Sequence, residues 1–478
     1  MQVYILTEGG KDYGFGHIAR CISICEAFSK WDISSKLIIN GDDSVKSIIS
    51  NVDFEIKNWL NDLSFFNSED IVIIDSYLAD YEIYEKISSS CSLAIYFDDN
   101  VRMDYPKGIV VNGLINSDKF DYPKSDDVRY LLGSNFSPLR SDFWYCDKID
   151  INDSIQNVLI TTGGNDLRNL TPKLLKFLNN SFSEFNKKII IADSFENVLE
   201  IESLKEDSCE LFYSPNSKEI LNIMSGVDLA ISTSGQTLYE LACLGIPTIA
   251  IGVINNQKDN IKSFQEIDFI EYAGCWDDEH LFDNISDKIE LLQDKRVRNV
   301  KKVNGIHAIN GKGSLNIVKH ILNEYYVKNS KFREVNEDDC FKIFEIANDE
   351  EVRKSSFSSE KIELDTHRIW FKSMLRDDSV KFFVLEHDGD IIGQIRFDLD
   401  ELHPVISISM NKKYRGLSLS KYLLDKGINC LDNFGKIVAY IKKDNLKSIS
   451  FFKSMGFEFE EEVMIKNCEA LKFVRSWV

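Results

Sequence analysis

The sequence predicts an α/β protein: two doubly wound lobes built on parallel sheets, followed by a smaller α+β domain. Short apolar runs alternate with helical patterns over the first two-thirds of the chain, which is typical of parallel sheets covered by helices. The pattern then restarts near residue 330 with the composition of antiparallel strands. A chain of 478 residues also has room for about three domains. We therefore expect domains at residues 1–145, 150–328 and 332–478.

The composition argues against several classes of function. The formal net charge of −21 disfavours nonspecific binding to nucleic acid or to an anionic membrane. Ten cysteines without a CxxC pair indicate a reducing compartment rather than a zinc site or a disulfide framework. The longest apolar stretch, 244–254, contains Gly and Pro and is too short to span a bilayer. With no basic leader before the first strand, we expect a soluble cytoplasmic protein.

The first element is an apolar strand at residues 3–6, followed by the loop Gly14-Phe15-Gly16-His17 and a helix. Five residues after the loop have the spacing of a buried helix face: Ile18, Cys21, Ile22, Cys25 and Phe28. A glycine loop that opens a helix exposes N–H groups in a positive field, which favours phosphate. The same field should keep His17 neutral and able to accept a proton. The alternative is a structural turn with a bystander histidine.

Seven further apolar runs predict strands on either side of an irregular stretch at 124–157: residues 71–74, 93–97, 109–111, 158–160, 188–191, 229–231 and 248–251. Ligands of such sheets bind beyond the carboxyl ends of the strands. Four polar clusters lie at these ends: Asp75-Ser76-Tyr77, Asp98-Asp99, residues 161–166 and residues 232–237. The last cluster opens a helix, so each lobe has one predicted phosphate cradle. Together they suggest a diphosphate held between the lobes.

These clusters also have simpler interpretations. Asp98 is equally suited to begin a turn, and Asp75 to cap the following helix. The segment Asn255-Asn256-Gln257 is equally consistent with a plain loop. No dense set of Asp and His ligands occurs, so we expect no metal.

Residues 1 to about 325 resemble the UDP-sugar hydrolase family of the pseudaminic acid pathway, whose two Rossmann-like lobes are glycosyltransferase-B-like. The motifs that carry the resemblance are Gly14 to Cys21, Ile74 to Tyr77, Phe97 to Asp99, Thr162 to Asp166, Ser234 to Glu240 and Asn256-Gln257. The resemblance implies hydrolysis of UDP-2,4-diacetamido-2,4,6-trideoxy-hexose, in which water attacks the anomeric carbon with inversion. It also implies that His17 activates this water.

The resemblance further implies which residues bind the substrate. Backbone donors around Gly14, Gly16, Ser234 and Gly235 would hold the phosphates, and Glu240 would accept hydrogen bonds from the ribose. The sugar pocket would be lined by Asp75 and Tyr77. The remaining expected substrate-binding residues are Arg20, Asp98, Gly164, Asn165, Thr237, Asn256 and Gln257. The alternative activity for these lobes is that of a true glycosyltransferase, which needs an acceptor to release UDP.

The last third of the chain restarts with a strand at 332–335 and a helix capped by Asn336. Residues 381–386 and 391–399 form a predicted hairpin, and 405–410 a further strand. A loop of small and basic residues, 411–420, then opens a helix. Basic side chains and exposed N–H groups in such a loop are suited to pyrophosphate.

In order, these pieces resemble the GCN5-related N-acetyltransferase family. The loop from Arg415 to Ser420 occupies the position of its Arg-x-x-Gly-x-Gly/Ala motif, and Asn445 to Phe457 matches its Asn-x-x-Ala…Tyr-x-x-x-Gly-Phe segment. The resemblance implies acetyl-CoA as cosubstrate, bound by Met410, Arg415, Gly416, Leu417, Ser418, Leu419, Ser420 and Asn445. Ser418 and Ser420 replace glycine or another small residue. Phe452 replaces a tyrosine that protonates the leaving thiolate in many members, which leaves the general acid open.

Residues 348–353 and His367 to Phe371 resemble the acetyltransferase of the same pathway, which acts on the 4-amino group of the UDP-linked sugar. For Trp370 and Phe371 the alternative is a place in the helix core. The general base is left open among Glu386, Glu401 and His403.

The two resemblances together imply a bifunctional enzyme of nonulosonic acid biosynthesis, because the product of the acetyltransferase is the substrate of the hydrolase. Two alternatives are an acetyltransferase that acts on a protein N-terminus and a nucleotide-sugar-binding scaffold without turnover. The partners expected are small molecules, a UDP-sugar and acetyl-CoA.

Overall fold

The computed structural model describes residues 1–10, 13–49, 51–166, 168–253, 257–399, 402–431 and 435–476. The chain divides into two compact units, Met1–Val318 and Lys319–Val478. The first unit contains two parallel sheets and the second a largely antiparallel one. In the described part of the chain, none of the helices has both the length and the apolar character needed to cross a membrane.

The first sheet has seven parallel strands in the order β3-β2-β1-β4-β5-β6-β7. The strands are β1 (Val3–Gly9), β2 (Ser35–Gly41), β3 (Asp53–Ile56), β4 (Ile71–Asp75), β5 (Leu93–Phe97), β6 (Gly108–Asn112) and β7 (Val128–Leu132). Its helices are α1 (Gly16–Ser29) and α2 (Tyr81–Ser90). Strands β4, β5 and β6 are buried along their whole length, as expected for the centre of a sheet covered on both faces. The strand order reverses between β1 and β4, which is where such folds bind ligands.

The second sheet has six parallel strands in the order β10-β9-β8-β11-β12-β13. The strands are β8 (Asn157–Thr161), β9 (Asn186–Ile191), β10 (Cys209–Tyr213), β11 (Leu229–Thr233), β12 (Thr248–Gly252) and β13 (Ile270–Cys275). The helices are α3 (Leu170–Ser181), α4 (Val198–Ser203), α5 (Ser217–Ser225), α6 (Thr237–Leu244), α7 (Lys258–Glu266), α8 (Leu281–Leu292), α9 (Lys295–Ala308) and α10 (Gly313–Asn329). The boundary between the two compact units falls within α10.

The second unit is built on a seven-stranded sheet in the order β14-β15-β16-β17-β18-β20-β19, in which only the β17–β18 pair is parallel. The strands are β14 (Lys331–Glu334), β15 (Val380–His387), β16 (Asp390–Asp398), β17 (Val405–Met410), β18 (Lys436–Lys442), β19 (Glu458–Ile465) and β20 (Cys468–Ser476). The helices are α11 (Cys340–Ala347), α12 (Glu350–Ser355), α13 (Leu364–Met374), α14 (Leu419–Ile428) and α15 (Leu446–Ser454).

The predicted fold class is confirmed: two parallel, Rossmann-like sheets precede a domain like that of the GCN5-related N-acetyltransferases (GNAT). The predicted strands are present, but eight others were not predicted: β2, β3, β7, β10, β13, β18, β19 and β20. Strand β3 alternates exposed and half-buried residues, so it lacks a continuous apolar run. Strand β7 lies inside the stretch 124–157 that was expected to be irregular. On α1, Ile22 is only half-buried, and Ile24 takes its place in the core.

Residues 133–156, which we call the joining segment, connect β7 to β8. Although they contain little regular structure, their apolar side chains pack into the core of the second lobe: Leu139, Phe143, Ile149 and Ile151. The end of the segment is fixed by the buried carboxylate of Asp228, which accepts hydrogen bonds from the backbone N–H groups of Gln156 (2.9 Å) and Asn157 (2.8 Å). The amide of Asn152 donates a third, at 2.7 Å.

We predict that Asp228→Ala lowers the free energy of unfolding by about 2–4 kcal/mol, because it leaves two backbone donors and one amide without their buried acceptor. Urea denaturation followed by circular dichroism measures the change. The exposed Asp207→Ala is the matched control and should stay within about 0.5 kcal/mol of the wild type. Equal stabilities for the two variants would contradict the role given to Asp228.

Candidate functional site

The strongest candidate site lies at the carboxyl ends of the central strands of the first sheet. His17 is the second residue of α1, and Asp75 is the last residue of β4. The chain places Tyr77 directly after β4 and Asp99 directly after β5. Together with Arg20, one turn further along α1, these residues form what we call the histidine cluster.

The buried carboxylate of Asp75 is the centre of the histidine cluster. Its Oδ1 lies 2.6 Å from His17 Nδ1, and its Oδ2 accepts from Arg20 Nε at 2.5 Å. A second guanidinium nitrogen, Nη2, donates to Oδ1 at 2.5 Å. The Asp75 side chain is 1% exposed, so this pair of cationic side chains balances a fully buried negative charge.

Arg20 also connects Asp75 to Asp99. Its Nη1 donates to Asp99 Oδ1 at 2.9 Å, and its guanidinium lies 5.1 Å from the centre of the Phe97 ring. The Tyr77 hydroxyl donates to Asp99 Oδ2 at 2.7 Å, and the Tyr77 ring stands edge-on to the His17 ring with centres 4.9 Å apart. All five side chains therefore belong to one contact network.

Charge in this network controls the protonation of His17. Burial by itself lowers the pKa of His17, but the charge and hydrogen bond of Asp75 outweigh it, so the pKa lies above the ordinary value of 6.5. Burial raises the pKa of Asp75, yet Arg20 and His17 bring it well below its usual range. Asp75 therefore opposes the helix field that was expected to keep His17 neutral, and the sequence-based expectation omitted this carboxylate.

The same contacts define what His17 is able to do. Asp75 is ionised, so its carboxylate accepts a hydrogen bond from His17 Nδ1. In the neutral ring the proton is therefore on Nδ1, and Nε2 is left as the acceptor. Proton uptake at Nε2 creates an imidazolium next to Asp75, which stabilises it. This is the arrangement of a general base held and polarised by a carboxylate.

Three sequence predictions change at this site. Asp75 was expected to line a sugar pocket; in the structure both of its oxygens contact His17 and Arg20, which suits it to position these two side chains. Asp98 was expected to bind substrate, but it is buried and accepts from Val101 N–H and Tyr122 Oη, so the turn interpretation is correct. Arg20 was expected to bind substrate and instead makes ion pairs with two carboxylates.

Sequence reasoning missed two carboxylates. Asp99 was noted only as the neighbour of Asp98, yet it is the one that faces the histidine cluster. Glu8, in β1, is 2% exposed; its Oε1 accepts from the backbone N–H of Tyr77, and its Oε2 has no hydrogen-bond partner among the residues that the structure describes. A signal for Glu8 existed in the sequence, because an acidic residue inside an apolar strand is unusual.

The loop before α1 has the open geometry expected of a ligand-binding turn. Gly14 has a φ of +78° and pairs with Gly10 through two backbone hydrogen bonds. A Cβ at Gly14 or Gly16 would meet no atom within 4 Å, so the space above this turn is unfilled. Both glycines are exposed beside His17.

In the second lobe, the loop after β11 leads into α6. Ser234 is buried and donates to the carbonyl of Ile251, so its hydroxyl is engaged, while Gly235 and Thr237 are half-buried. The Glu240 carboxylate is 4% exposed and lies 3.0 Å from Arg140 Nε. Burial raises the pKa of Glu240, and Arg140 opposes this shift.

A small pocket of about 80 Å³ opens beside the loop after β8, lined by Thr162, Asn165, Asp166, Arg168, Leu170, Thr233, Val253 and Gln257. Two predicted substrate-binding residues, Asn165 and Gln257, are thereby brought together. Gln257 Oε1 accepts from Val253 N–H at 2.9 Å, and Gly164 is exposed at the turn before Asn165. Asn256 lies outside the described residues.

The second unit offers an open strand edge. Within the described residues, β17 pairs with β18 only at Val405 and Val438, so the two parallel strands separate beyond this point. Met410, at the end of β17, is half-buried, and its carbonyl accepts from Arg415 Nε at 3.2 Å. Unpaired backbone groups along β17 are thus available to an extended ligand.

The loop after β17 adopts the turn expected for phosphate binding, but its arginine is engaged. Arg415 Nη2 donates to Asp349 at 2.5 Å, and Nη1 donates to Glu351 at 3.2 Å. Ser418 has a φ of +61° and Gly416 a φ of +81°, and both are exposed. The loop is anchored by its buried and partly buried neighbours, Leu417, Leu419 and Ser420.

Several other predicted residues have structural roles. The Asn445 side chain caps α15, because its Oδ1 accepts from Ser448 N–H at 3.1 Å. Glu386 is held by Arg333 in an ion pair of 2.5 Å. Phe452 is a core residue, 5% exposed. Glu401 lies outside the described residues.

His367 is buried and contacts the carbonyl of Cys340 at 3.1 Å; burial lowers its pKa. Phe371 is 1% exposed, and Trp370 packs against the same core, as the alternative interpretation of this helix expects. In the part of the chain that the structure describes, no group of three or more His, Cys, Asp or Glu residues is arranged to hold a metal.

Comparison with known proteins agrees with this division. The acetyltransferase (GNAT) family model matches residues 341–457. An uncharacterized protein of Methanocaldococcus jannaschii is 24% identical over 491 residues, which cover 96% of this chain and 97% of that protein. The pseudaminic acid cytidylyltransferase and UDP-2,4-diacetamido-2,4,6-trideoxy-beta-L-altropyranose hydrolase of Helicobacter pylori is 28% identical over 271 residues, 56% of this chain.

The match with the Helicobacter pylori enzyme covers 47% of that protein, about half its length. Among solved structures, the spermidine N-acetyltransferase of Vibrio cholerae in complex with CoA and spermine is 16% identical, with a TM-score of 0.28, and the match covers 31% of this chain and 95% of that one. The sequence of the C-terminal part thus resembles the GNAT family over residues 341–457. The N-terminal part of the chain is homologous to the Helicobacter pylori enzyme.

We predict that Asp75→Asn moves the pKa of His17 from above 6.5 to below it, because burial and the Arg20 charge then act without the opposing carboxylate. A proton NMR titration of the His17 ring measures this. Because the pKa of His17 is raised in the folded protein, the pair stabilises the fold below pH 6.5 and loses this contribution as the pH rises through the raised pKa. Asp99→Asn, the matched control, should shift it less. An unchanged pKa in Asp75→Asn would contradict the assignment.

We predict that Ser418→Gly raises the free energy of unfolding by about 0.5–1 kcal/mol, because glycine adopts a positive φ without steric cost. Ser420→Gly, in the first turn of α14, should lower it by a similar amount. Thermal denaturation of the two variants separates the effects. A stabilised Ser420→Gly or a destabilised Ser418→Gly would oppose the backbone argument.

Proposed function

We propose that the chain is a bifunctional enzyme of nucleotide-sugar metabolism. Its first unit hydrolyses a UDP-2,4-diacetamido-2,4,6-trideoxy-hexose, and its second unit acetylates the 4-amino precursor of that sugar with acetyl-CoA. The observation that carries the hydrolase half is the contact between His17 Nδ1 and the buried Asp75 carboxylate beside an open glycine turn. In this proposal, residues 1–145 and 150–328 are the two lobes of the hydrolase, and residues 332–478 are the acetyltransferase domain.

In the proposed hydrolysis, His17 Nε2 takes a proton from water as the water oxygen bonds to the anomeric carbon. The bond between that carbon and the diphosphate oxygen breaks, and UDP leaves with the electron pair. Asp75 stabilises the imidazolium, and the N–H groups of Gly16 and Gly235 receive the diphosphate, while the N–H of Gly14 is held by the carbonyl of Gly10. UDP is a good leaving group, so positioning of water and charge supplies most of the catalysis.

Homology to the Helicobacter pylori enzyme supports this assignment, because the name of that enzyme includes hydrolysis of UDP-2,4-diacetamido-2,4,6-trideoxy-beta-L-altropyranose. The ribose role of Glu240 and the contacts of Tyr77, Asn165 and Gln257 with substrate belong to the same proposal. Asn165 and Gln257 line one pocket, and Tyr77 presents a half-exposed ring beside His17.

In the proposed acetyl transfer, the sugar amine attacks the thioester carbonyl of acetyl-CoA. The C–S bond breaks, CoA leaves as the thiol after gaining a proton, and the amine loses one. The GNAT family match and the separation of β17 from β18 support this half. Pyrophosphate would rest on the loop from Gly416 to Ser420 through backbone N–H groups, because Arg415 is paired with acidic residues.

We predict that His17→Leu abolishes UDP release while the acetyl transfer of the second unit continues at the wild-type rate. The physical reason is that leucine fills a similar volume but accepts no proton. Phosphorus NMR follows UDP, and release of CoA thiol follows acetylation in the same sample. Isothermal titration with UDP should show affinity within a factor of a few of the wild type. Hydrolysis near the wild-type rate would refute the role of His17.

The deciding experiment combines the chain with UDP-4-amino-4,6-dideoxy-2-acetamido-L-altrose and acetyl-CoA, omitting each in turn. Mass spectrometry should detect the acetylated UDP-sugar, followed by UDP and the free diacetamido sugar, only when both are present. Acetylation without UDP release would favour a glycosyltransferase in the first unit. Acetylation of peptides but not of the amino sugar would favour a protein acetyltransferase.

A further inference from the structure

A pair of thiols meets one lysine on the joining segment, away from the histidine cluster. Lys148 Nζ lies 3.4 Å from Cys243 Sγ and 3.8 Å from Cys146 Sγ. Both sulfurs also contact the carbonyl oxygen of Phe143, Cys146 at 3.4 Å and Cys243 at 3.7 Å. Because both sulfurs contact the same ammonium group and the same carbonyl oxygen, the thiols of Cys146 and Cys243 lie close together.

The surroundings of the pair differ on its two sides. Cys243 lies in α6 and is 0% exposed, whereas Cys146 is partly exposed on the joining segment. Gly311 closes the site from a third direction: a Cβ there would lie 3.0 Å from Cys243 Sγ and closer still to the Phe143 carbonyl. One thiol is therefore accessible to reagents, and the other is shielded from solvent.

The electrostatics suit a nucleophilic thiolate at the accessible position. A hydrogen bond from Cys243 and the charge of Lys148 lower the pKa of Cys146 to about 6. The pKa of Cys243 is raised, because its thiol donates a hydrogen bond to Cys146 and because burial disfavours the thiolate. Cys146 is thus suited to attack, and Cys243 to resolve.

We propose that Cys146, Cys243 and Lys148 form a thiol–disulfide exchange site that reacts with low-molecular-weight disulfides. The Cys146 thiolate attacks one sulfur of the disulfide, breaking its S–S bond and releasing one thiol. Cys243 then loses its proton and attacks Cys146, which releases the second thiol and leaves a Cys146–Cys243 bond. The two protein thiols are oxidised, and the small disulfide is reduced to two thiols.

The position of the pair gives this reaction a structural consequence. Cys243 lies one turn along α6 from Glu240, whose carboxylate already contacts Arg140 of the joining segment. A Cys146–Cys243 bond would add a covalent tie between the same two elements. The proposal rests on the thiols and Lys148 alone and holds whether or not the first unit hydrolyses a UDP-sugar.

The test uses the full-length, fully reduced chain with oxidised glutathione as the probe. Differential alkylation and peptide mass spectrometry should show a Cys146–Cys243 disulfide with two equivalents of glutathione released. In Cys243→Ala, the mixed disulfide at Cys146 should accumulate instead. A wild-type protein that stops at the mixed disulfide, or that forms neither product, would overturn the proposal.

The role of Lys148 is tested by the rate of iodoacetamide alkylation at pH 7, read out peptide by peptide. Cys146 should react at least about tenfold faster in the wild type than in Lys148→Met, because the thiolate fraction falls when the ammonium is removed. The exposed Cys430 is the internal control, and its rate should be the same in both proteins. Equal rates at Cys146 in the two proteins would show that Lys148 does not activate the thiol.

Discussion

The first lobe depends on one buried carboxylate. Asp75 ends β4 at the point where the strand order reverses, and its side chain is 1% exposed. An unpaired charge in this position would cost several kcal/mol, so the fold requires the two cationic partners that α1 supplies. Because Arg20 extends the network to Asp99, the same ion pairs fix the carboxyl ends of β4 and β5 against the first turns of α1.

This constraint also separates the roles of the charged residues. Asp75 and Arg20 are paired with each other, so they fix the position of His17 and set its protonation without contacting a ligand. The groups that remain for a ligand are His17 Nε2, the exposed Tyr77 ring and the open glycine turn. A site with a base held rigidly by a carboxylate and an uncharged, open front is suited to positioning water against a substrate that brings its own leaving group.

The sequence predicted the parts of this arrangement that are local. Strands buried on both faces, such as β4 and β5, appear as continuous apolar runs, whereas the half-exposed β3 does not. The glycine turn and the position of His17 at the start of α1 were also predicted from the sequence. Their partner lies 58 residues away, and no spacing rule indicates that pairing. Asp98 and Asp99 are adjacent in sequence, yet one closes a turn and the other faces the cluster, because neighbouring side chains point to different sides of the chain.

In the second unit, the same limit applies to Arg415, whose ion-pair partners lie 64 and 66 residues away in the sequence. In the sequence, Arg415 is a basic residue suited to binding pyrophosphate. In the structure, Asp349 and Glu351 already neutralise its charge. Attraction at this loop must then come chiefly from backbone N–H groups, which point outward only if the loop keeps its left-handed residues. Ser418 holds such a conformation at a cost that glycine would not incur. The serine therefore keeps the left-handed conformation of the loop, and what it costs is stability rather than geometry.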